Sequence, residues 1–150
     1  MGTLYRDNNG VEQNYKKASE LFSKACNLED GTSCYNLGIL YRDGQGVKQD
    51  YKKANELYSK SCNMGVGLGC TNLGFSYAGG NGIKQNYKKA IELLSKACNM
   101  KEAIGCYNLG SLYINGQGIR QNKKVAKEYF GKACDLGDQD GCDWYKKLNR

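Results

Sequence analysis

Apolar positions along this chain fall three and four residues apart, in blocks separated by polar, glycine-rich stretches. That is the period of helices with one buried stripe. Over residues 50–63, Tyr51, Ala54, Leu57, Tyr58 and Ser61 lie on one such stripe, and Asp50 stands in front of it as an N-cap. This predicts a helix, B. Over residues 30–42, Cys34, Leu37, Gly38 and Tyr41 share one face at 100° per residue, which predicts a helix A.

The pair of helices recurs every 36 residues. Cys26, Cys62, Cys98 and Cys134 keep that step, as do Cys34, Cys70, Cys106 and Cys142. Tyr15-Lys16-Lys17-Ala18 returns as Tyr51-Lys52-Lys53-Ala54 and Tyr87-Lys88-Lys89-Ala90, and loosely as Lys123-Lys124-Val125-Ala126. Asn36-Leu37-Gly38 returns as Asn72-Leu73-Gly74 and Asn108-Leu109-Gly110. The expected caps of helix B are Asn14, Asp50, Asn86 and Asn122. A glycine inside helix A costs about 1 kcal/mol against alanine, so its recurrence implies close approach of a neighbouring helix. Gly44-Gln45-Gly46-Val47 and its copies at 80–83 and 116–119 end helix A, with the Val or Ile filling the gap between repeats.

A helical period in this range predicts an all-α fold, a right-handed α/α superhelix or solenoid of stacked helix-turn-helix units. Residues 1–150 are expected to form one solenoid domain of about four repeats, with units near 14–42, 50–78, 86–114 and 122–149. Gly2 to Asp7 aligns with Gly38 to Asp43, so residues 1–7 are expected to be a partial helix A with further sequence upstream. The tail from Gly141 to Leu148 lacks the Asn-Leu-Gly core and reads as a terminal cap.

Composition narrows the chemistry. There is no proline, and there is no histidine, the commonest metal ligand and general base. No apolar run approaches a membrane span of ~20 residues, and the first residues lack the apolar core of a signal peptide. Net charge is +7. The paired lysines of helix B form a ladder, but Glu20, Glu56, Glu92 and Glu128 each precede a lysine by four, which favours pairing within the helix. With no aromatic platform beside them, these lysines read as a solvated face, and nucleic acid is not expected as a partner.

The Leu-Gly-x-x-Tyr core, the Gly-x-Gly-Val turn and the Asp-Tyr-x-Lys-Ala start of helix B resemble Sel-like repeats, relatives of the tetratricopeptide repeats. Ordinary Sel-like repeats usually carry alanines where this chain has its cysteine pairs. The cysteines make the chain similar to the cysteine-rich Sel-like proteins typified by the Helicobacter cysteine-rich proteins. That resemblance implies a secreted or periplasmic location and brings a β-lactamase label.

Each cysteine pair brackets the turn from helix B to the next helix A. Facing positions in such a hairpin can meet the Cα spacing of roughly 5.5–6 Å that a disulfide needs. The expected bridges are Cys26–Cys34, Cys62–Cys70, Cys98–Cys106 and Cys134–Cys142. Zinc and redox sites favour closer spacings than seven intervening residues, so neither a metal nor another cofactor is expected.

Solenoids bind on the surface lined by the first helix of each repeat. There Asn36, Asn72 and Asn108 would form a ladder of carboxamides able to donate to and accept from a peptide backbone. Tyr35 and Tyr107 would add aromatic anchors, with Thr71 in the middle repeat, and Ile39, Phe75 and Asp43 would flank them. In the tetratricopeptide relatives an asparagine at the equivalent position of helix A contacts bound peptides, and the resemblance implies the same here. The same asparagines could instead bond between repeats, and one ladder can do both. Tyr41, Tyr77 and Tyr113 read as core.

No catalytic residues are expected. The Ser-x-x-Lys, Ser-Asp-Asn and Lys-Thr-Gly strings of serine penicillinases are missing from the sequence. The function read from the chain is a monomeric scaffold that binds a protein or peptide of the host or cell envelope. The alternative is a penicillin-binding protein with weak β-lactamase activity, which rests on the family label.

Overall fold

The computed structural model describes residues 8–150 and shows eight helices among them. They are α1 (Asn8–Asn27), α2 (Gly31–Asp43), α3 (Tyr51–Asn63), α4 (Gly67–Gly79), α5 (Tyr87–Asn99), α6 (Ala103–Asn115), α7 (Lys123–Asp135) and α8 (Gln139–Leu148). The odd-numbered helices are the B helices of the sequence pattern and the even-numbered ones the A helices. The expected partial helix over residues 1–7 lies outside the described residues. The chain divides into two compact units, Met1–Gly69 and Cys70–Arg150.

In the first unit α2 packs against both α1 and α3. Cys26, Cys34, Leu37 and Leu57 form the core there, with Phe22, Tyr41 and Met64 against it. In the second unit α6 packs on α5 and α7, and α7 packs on α8. Leu94, Cys106, Leu109, Leu112 and Ala133 are the centre of its core. Burying each leucine stabilises by about 1.5–3 kcal/mol, which offsets the ordering of short helices that would not persist alone.

Helix A's glycines are where the helices come closest. A Cβ on Gly38 would lie 2.7 Å from Tyr58, and one on Gly74 would lie 3.0 Å from Leu94. Alanine would fit neither place without movement.

The capping residues fall where the pattern puts them, with one exception. Side chains of Asp50, Asn86 and Asn122 accept from the N–H of Lys53, Lys89 and Val125 at 3.0, 3.1 and 3.1 Å. Asn14 does not cap anything, because α1 runs unbroken from Asn8. In later repeats the start of helix B is tied to the preceding helix A: Asp50 N–H donates to Tyr41 O and Gln49 Nε2 to Arg42 O. The aligned partners of Asn14 and Gln13 are Tyr5 and Arg6, outside the described residues. Two further differences concern helix B. Tyr51 is exposed rather than on the buried stripe; it is the first residue of α3, and its hydroxyl accepts from Gln49. The Glu-to-Lys pairs do not form among the described residues. Lys60 instead donates to Cys26 O at 3.3 Å, and Lys132 lies over the Tyr129 ring.

Trp144 of α8 stacks on Phe130 with ring centroids 5.4 Å apart, covering that buried ring.

Candidate functional site

The turn from each B helix to the next A helix is three residues long in the first unit, Leu28 to Asp30, and Cys26 and Cys34 stand on either side of it. That turn brings their Cα atoms to 4.7 Å, and the bridge forms. Cys98–Cys106 and Cys134–Cys142 are bridged in the same way at 4.6 and 4.5 Å. Cys62 and Cys70 are also disulfide-bonded, and none of the cysteines is free. The Cα separations are tighter than anticipated but within the range a disulfide accepts. Cys34 and Cys106 are fully buried, so their bridges are part of the core as well as ties between helices, whereas Cys134 and Cys142 are half-buried. Among the described residues no cluster of three or more metal-ligating side chains occurs.

The candidate binding residues lie in different surroundings. Tyr35 and Tyr107 are half-buried and turn toward the neighbouring B helix: Tyr35 lies 6.0 Å from the Tyr58 ring, and Tyr107 lies 5.5 Å from Phe130. Their rings support the helix pair and leave only an edge for a ligand. Thr71 is buried, 1% exposed. Asp43 is held by Arg42, whose guanidinium donates to both carboxylate oxygens at 2.8 and 3.1 Å. That hydrogen bond lowers the Asp43 carboxyl below its usual range and raises the arginine. Asn36 and Ile39 are half-buried on α2.

Phe75 and Asn108 come together in the second unit. Phe75 and Ala78 of α4, Tyr87 and Leu94 of α5, and Asn108, Ser111 and Leu112 of α6 line an open cavity of about 290 Å³. Phe75 is 38% exposed there, an apolar ring left facing solvent. Asn108 Nδ2 donates to Ile104 O at 2.7 Å, which fixes the carboxamide and leaves its oxygen for another donor. Asn72 lies one helical turn before Phe75. Its Nδ2 is buried and finds no acceptor among the described residues. An unmatched buried donor costs roughly 1–3 kcal/mol.

Sequence reasoning missed a set of glutamines. Gln49, Gln85 and Gln121 each donate to the carbonyl seven residues earlier, Arg42, Ala78 and Ile114, at 2.7, 2.8 and 2.8 Å. These bonds close the end of helix A onto the loop that follows. Their recurrence at the 36-residue step was visible, but a loop glutamine has no characteristic role that points to a clamp.

The Sel1 repeat model matches residues 1–30, 31–66, 67–101 and 103–138, and the chain belongs to the Sel1 repeat family. Its all-α repeat fold is that of solved structures of the family. A Sel1 repeat protein from Oxalobacter formigenes is similar over 97% of this chain and 60% of its own, at 24% identity and a TM-score of 0.85. A protective antigen of uropathogenic Escherichia coli with the same repeat fold is similar over 89% of this chain but 29% of its own, at 29% identity and a TM-score of 0.82. Cysteine-rich protein B of Helicobacter pylori is 33% identical over 89% of this chain and 96% of its own, with a TM-score of 0.72. The chain therefore spans less than two thirds of the first relative's length and less than a third of the second's. No curated protein sequence matches at a significant level. Among the described residues no helix is long and apolar enough to cross a membrane.

Proposed function

We propose that the protein is a secreted or periplasmic repeat scaffold that binds an extended protein or peptide segment along its A helices. Asn72, Phe75 and Asn108 carry the contact in the second unit, and Asn36 and Ile39 are the corresponding candidates within the first. Sel1 repeats as a family typically mediate protein–protein interactions, which supports a binding role over a catalytic one. The observation that carries the reading is the open cavity lined by the exposed Phe75 ring and by Asn108, whose carboxamide oxygen is left for a donor. A peptide backbone supplies N–H donors, which suits that carboxamide.

Location outside the cytoplasm is supported by the disulfide-bonded state of the cysteines, since cytosolic reductants keep thiols reduced. The relative from uropathogenic Escherichia coli is a protective antigen, which accords with exposure outside the cell.

The test is selection of a displayed random-peptide library on the disulfide-intact protein. Selected peptides are expected to lose at least about tenfold in affinity, roughly 1.4 kcal/mol, to a variant carrying Asn36→Ala, Asn72→Ala and Asn108→Ala. Peptides that bind this variant as tightly as the parent would overturn the reading.

A further inference from the structure

Away from that cavity, two clefts recur at aligned positions. In the first unit Leu37 and Tyr41 of α2, with Lys53, Glu56, Leu57 and Lys60 of α3, line a cleft of about 290 Å³. In the second unit Leu73, Tyr77, Lys89, Glu92, Leu93 and Lys96 line one of about 360 Å³. Each of these residues stands 36 positions after its counterpart. Both clefts thus have two leucines, one tyrosine ring and a rim of two ammonium groups and one carboxylate. The rim cations are placed: Lys60 Nζ donates to Cys26 O at 3.3 Å, and Lys89 Nζ lies 5.4 Å from the centre of the Tyr77 ring.

The same positions occur a third time, with Val125 in place of Lys53 and Lys89 and with a second change that shows what such a cleft holds. Where the first two copies have Leu57 and Leu93, the third has Tyr129. Its ring stacks on Tyr113, the counterpart of Tyr41 and Tyr77, with centroids 5.7 Å apart and an interplanar angle of 15°. Lys132, the counterpart of Lys60 and Lys96, lies 5.0 Å above the Tyr129 ring. The third copy therefore seats an aromatic ring between a tyrosine and a lysine. Leucine is too short to reach that place, and no ring is stacked on Tyr41 or Tyr77 among the described residues.

We propose that the clefts at Leu57 and Leu93 each receive an aromatic side chain of a partner polypeptide, seated as Tyr129 is seated against Tyr113. Stacking on the tyrosine and the lysine's attraction to the ring face supply the recognition, and the leucines supply apolar contact. The two lysines outnumber the single glutamate at each rim, so acidic neighbours on the partner are favoured. This site is independent of the cavity on the A helices and stands or falls separately.

The experiment is a titration of the isotope-labelled protein, followed by backbone amide resonances, with a blocked tripeptide of tyrosine flanked by glutamates. Shifts are expected at Tyr41, Lys53 and Leu57 and at Tyr77, Lys89 and Leu93. They should fall by more than half with the leucine-centred counterpart at equal concentration. The double variant Leu57→Tyr/Leu93→Tyr fills both clefts and should abolish them. Tyr129→Leu opens the third copy and should create a new set of shifts around Tyr113 and Lys132, so the proposal stays testable if the double variant does not fold. Equal response to the leucine peptide, shifts that persist in the double variant, or no new set in Tyr129→Leu would each overturn it. Acetyl-tyrosinamide alone should bind at least fivefold more weakly than the tripeptide; equal affinity would mark a small-molecule site and overturn the docking of a polypeptide.

Discussion

Gly110 of α6 lies against the ring of Phe130 of α7: a Cβ built on the glycine would sit 2.8 Å from the ring carbons Cδ1 and Cε1. Phe130 is fully buried, with Tyr107 on it at 5.5 Å and Trp144 at 5.4 Å, so the ring has nowhere to retreat. Gly110→Ala should therefore destabilise by about 1–3 kcal/mol, the usual cost of overpacking. Gly74→Ala should cost less, because its Cβ would stand 3.0 Å from Leu94 and asks a smaller shift of its neighbour. Urea unfolding of the two variants checks the order; a neutral Gly110→Ala would contradict close packing at this contact.

The turn from helix B to helix A needs one residue with left-handed backbone. Gly65 and Gly137 supply it at φ 88° and 98°, but Glu29 and Lys101 adopt φ 69° and 66° as non-glycine residues. That conformation costs a side-chain residue about 1–2 kcal/mol. Lys101→Gly should raise the melting temperature by a few degrees after the entropic cost of glycine is subtracted. Gly137→Ala should lower it. Nothing lies within 4 Å of a Cβ at Gly137, so the effect there isolates backbone strain from packing.

Capping separates the first helix from the others. Asn122 accepts from the Val125 N–H at 3.1 Å, and Asn122→Ala should cost about 1 kcal/mol. Asn14 sits inside α1, where alanine is the better helix former, so Asn14→Ala should be neutral or slightly stabilising. Thermal unfolding of both variants checks the contrast. Equal destabilisation would mean that α1 starts at Asn14 after all.

These cases show how much was legible from the residues alone. Four copies of each position made the helices B and A, their caps at Asp50, Asn86 and Asn122, and the close approach at the helix A glycines readable. Asn14 was misread because a cap depends on the loop in front of it, and the residues that tie that loop in later repeats have no described counterpart. Tyr35 and Tyr107 looked like anchors because periodicity places them beside the asparagines; it does not say that their rings fold back onto Tyr58 and Phe130. Likewise, a spacing of four allows Glu56 and Lys60 to pair, yet the Cys26 carbonyl, thirty-four residues from Lys60, takes the lysine instead. The clefts beside Leu57 and Leu93 could not be read at all, since each is assembled from positions on different helices.

The bridges should carry a large share of stability. Replacing Cys98 and Cys106 together by alanine removes a tie across eight residues, and the loss expected from loop closure is about 2–3 kcal/mol. Both sulfurs are buried, so loss of packing adds to that figure. Denaturant unfolding of the double variant with and without reductant gives the value; a change under about 0.5 kcal/mol would remove the bridges from the stability argument.

That each B-to-A hairpin is locked by its own local bridge can be measured directly by peptide mass mapping of the native, unreduced protein. Every cysteine is expected in a bridge to the partner eight positions away, as in Cys26–Cys34, Cys98–Cys106 and Cys134–Cys142, with no thiol left to alkylate. Bridges that join different hairpins, or a full set of alkylated thiols, would contradict it.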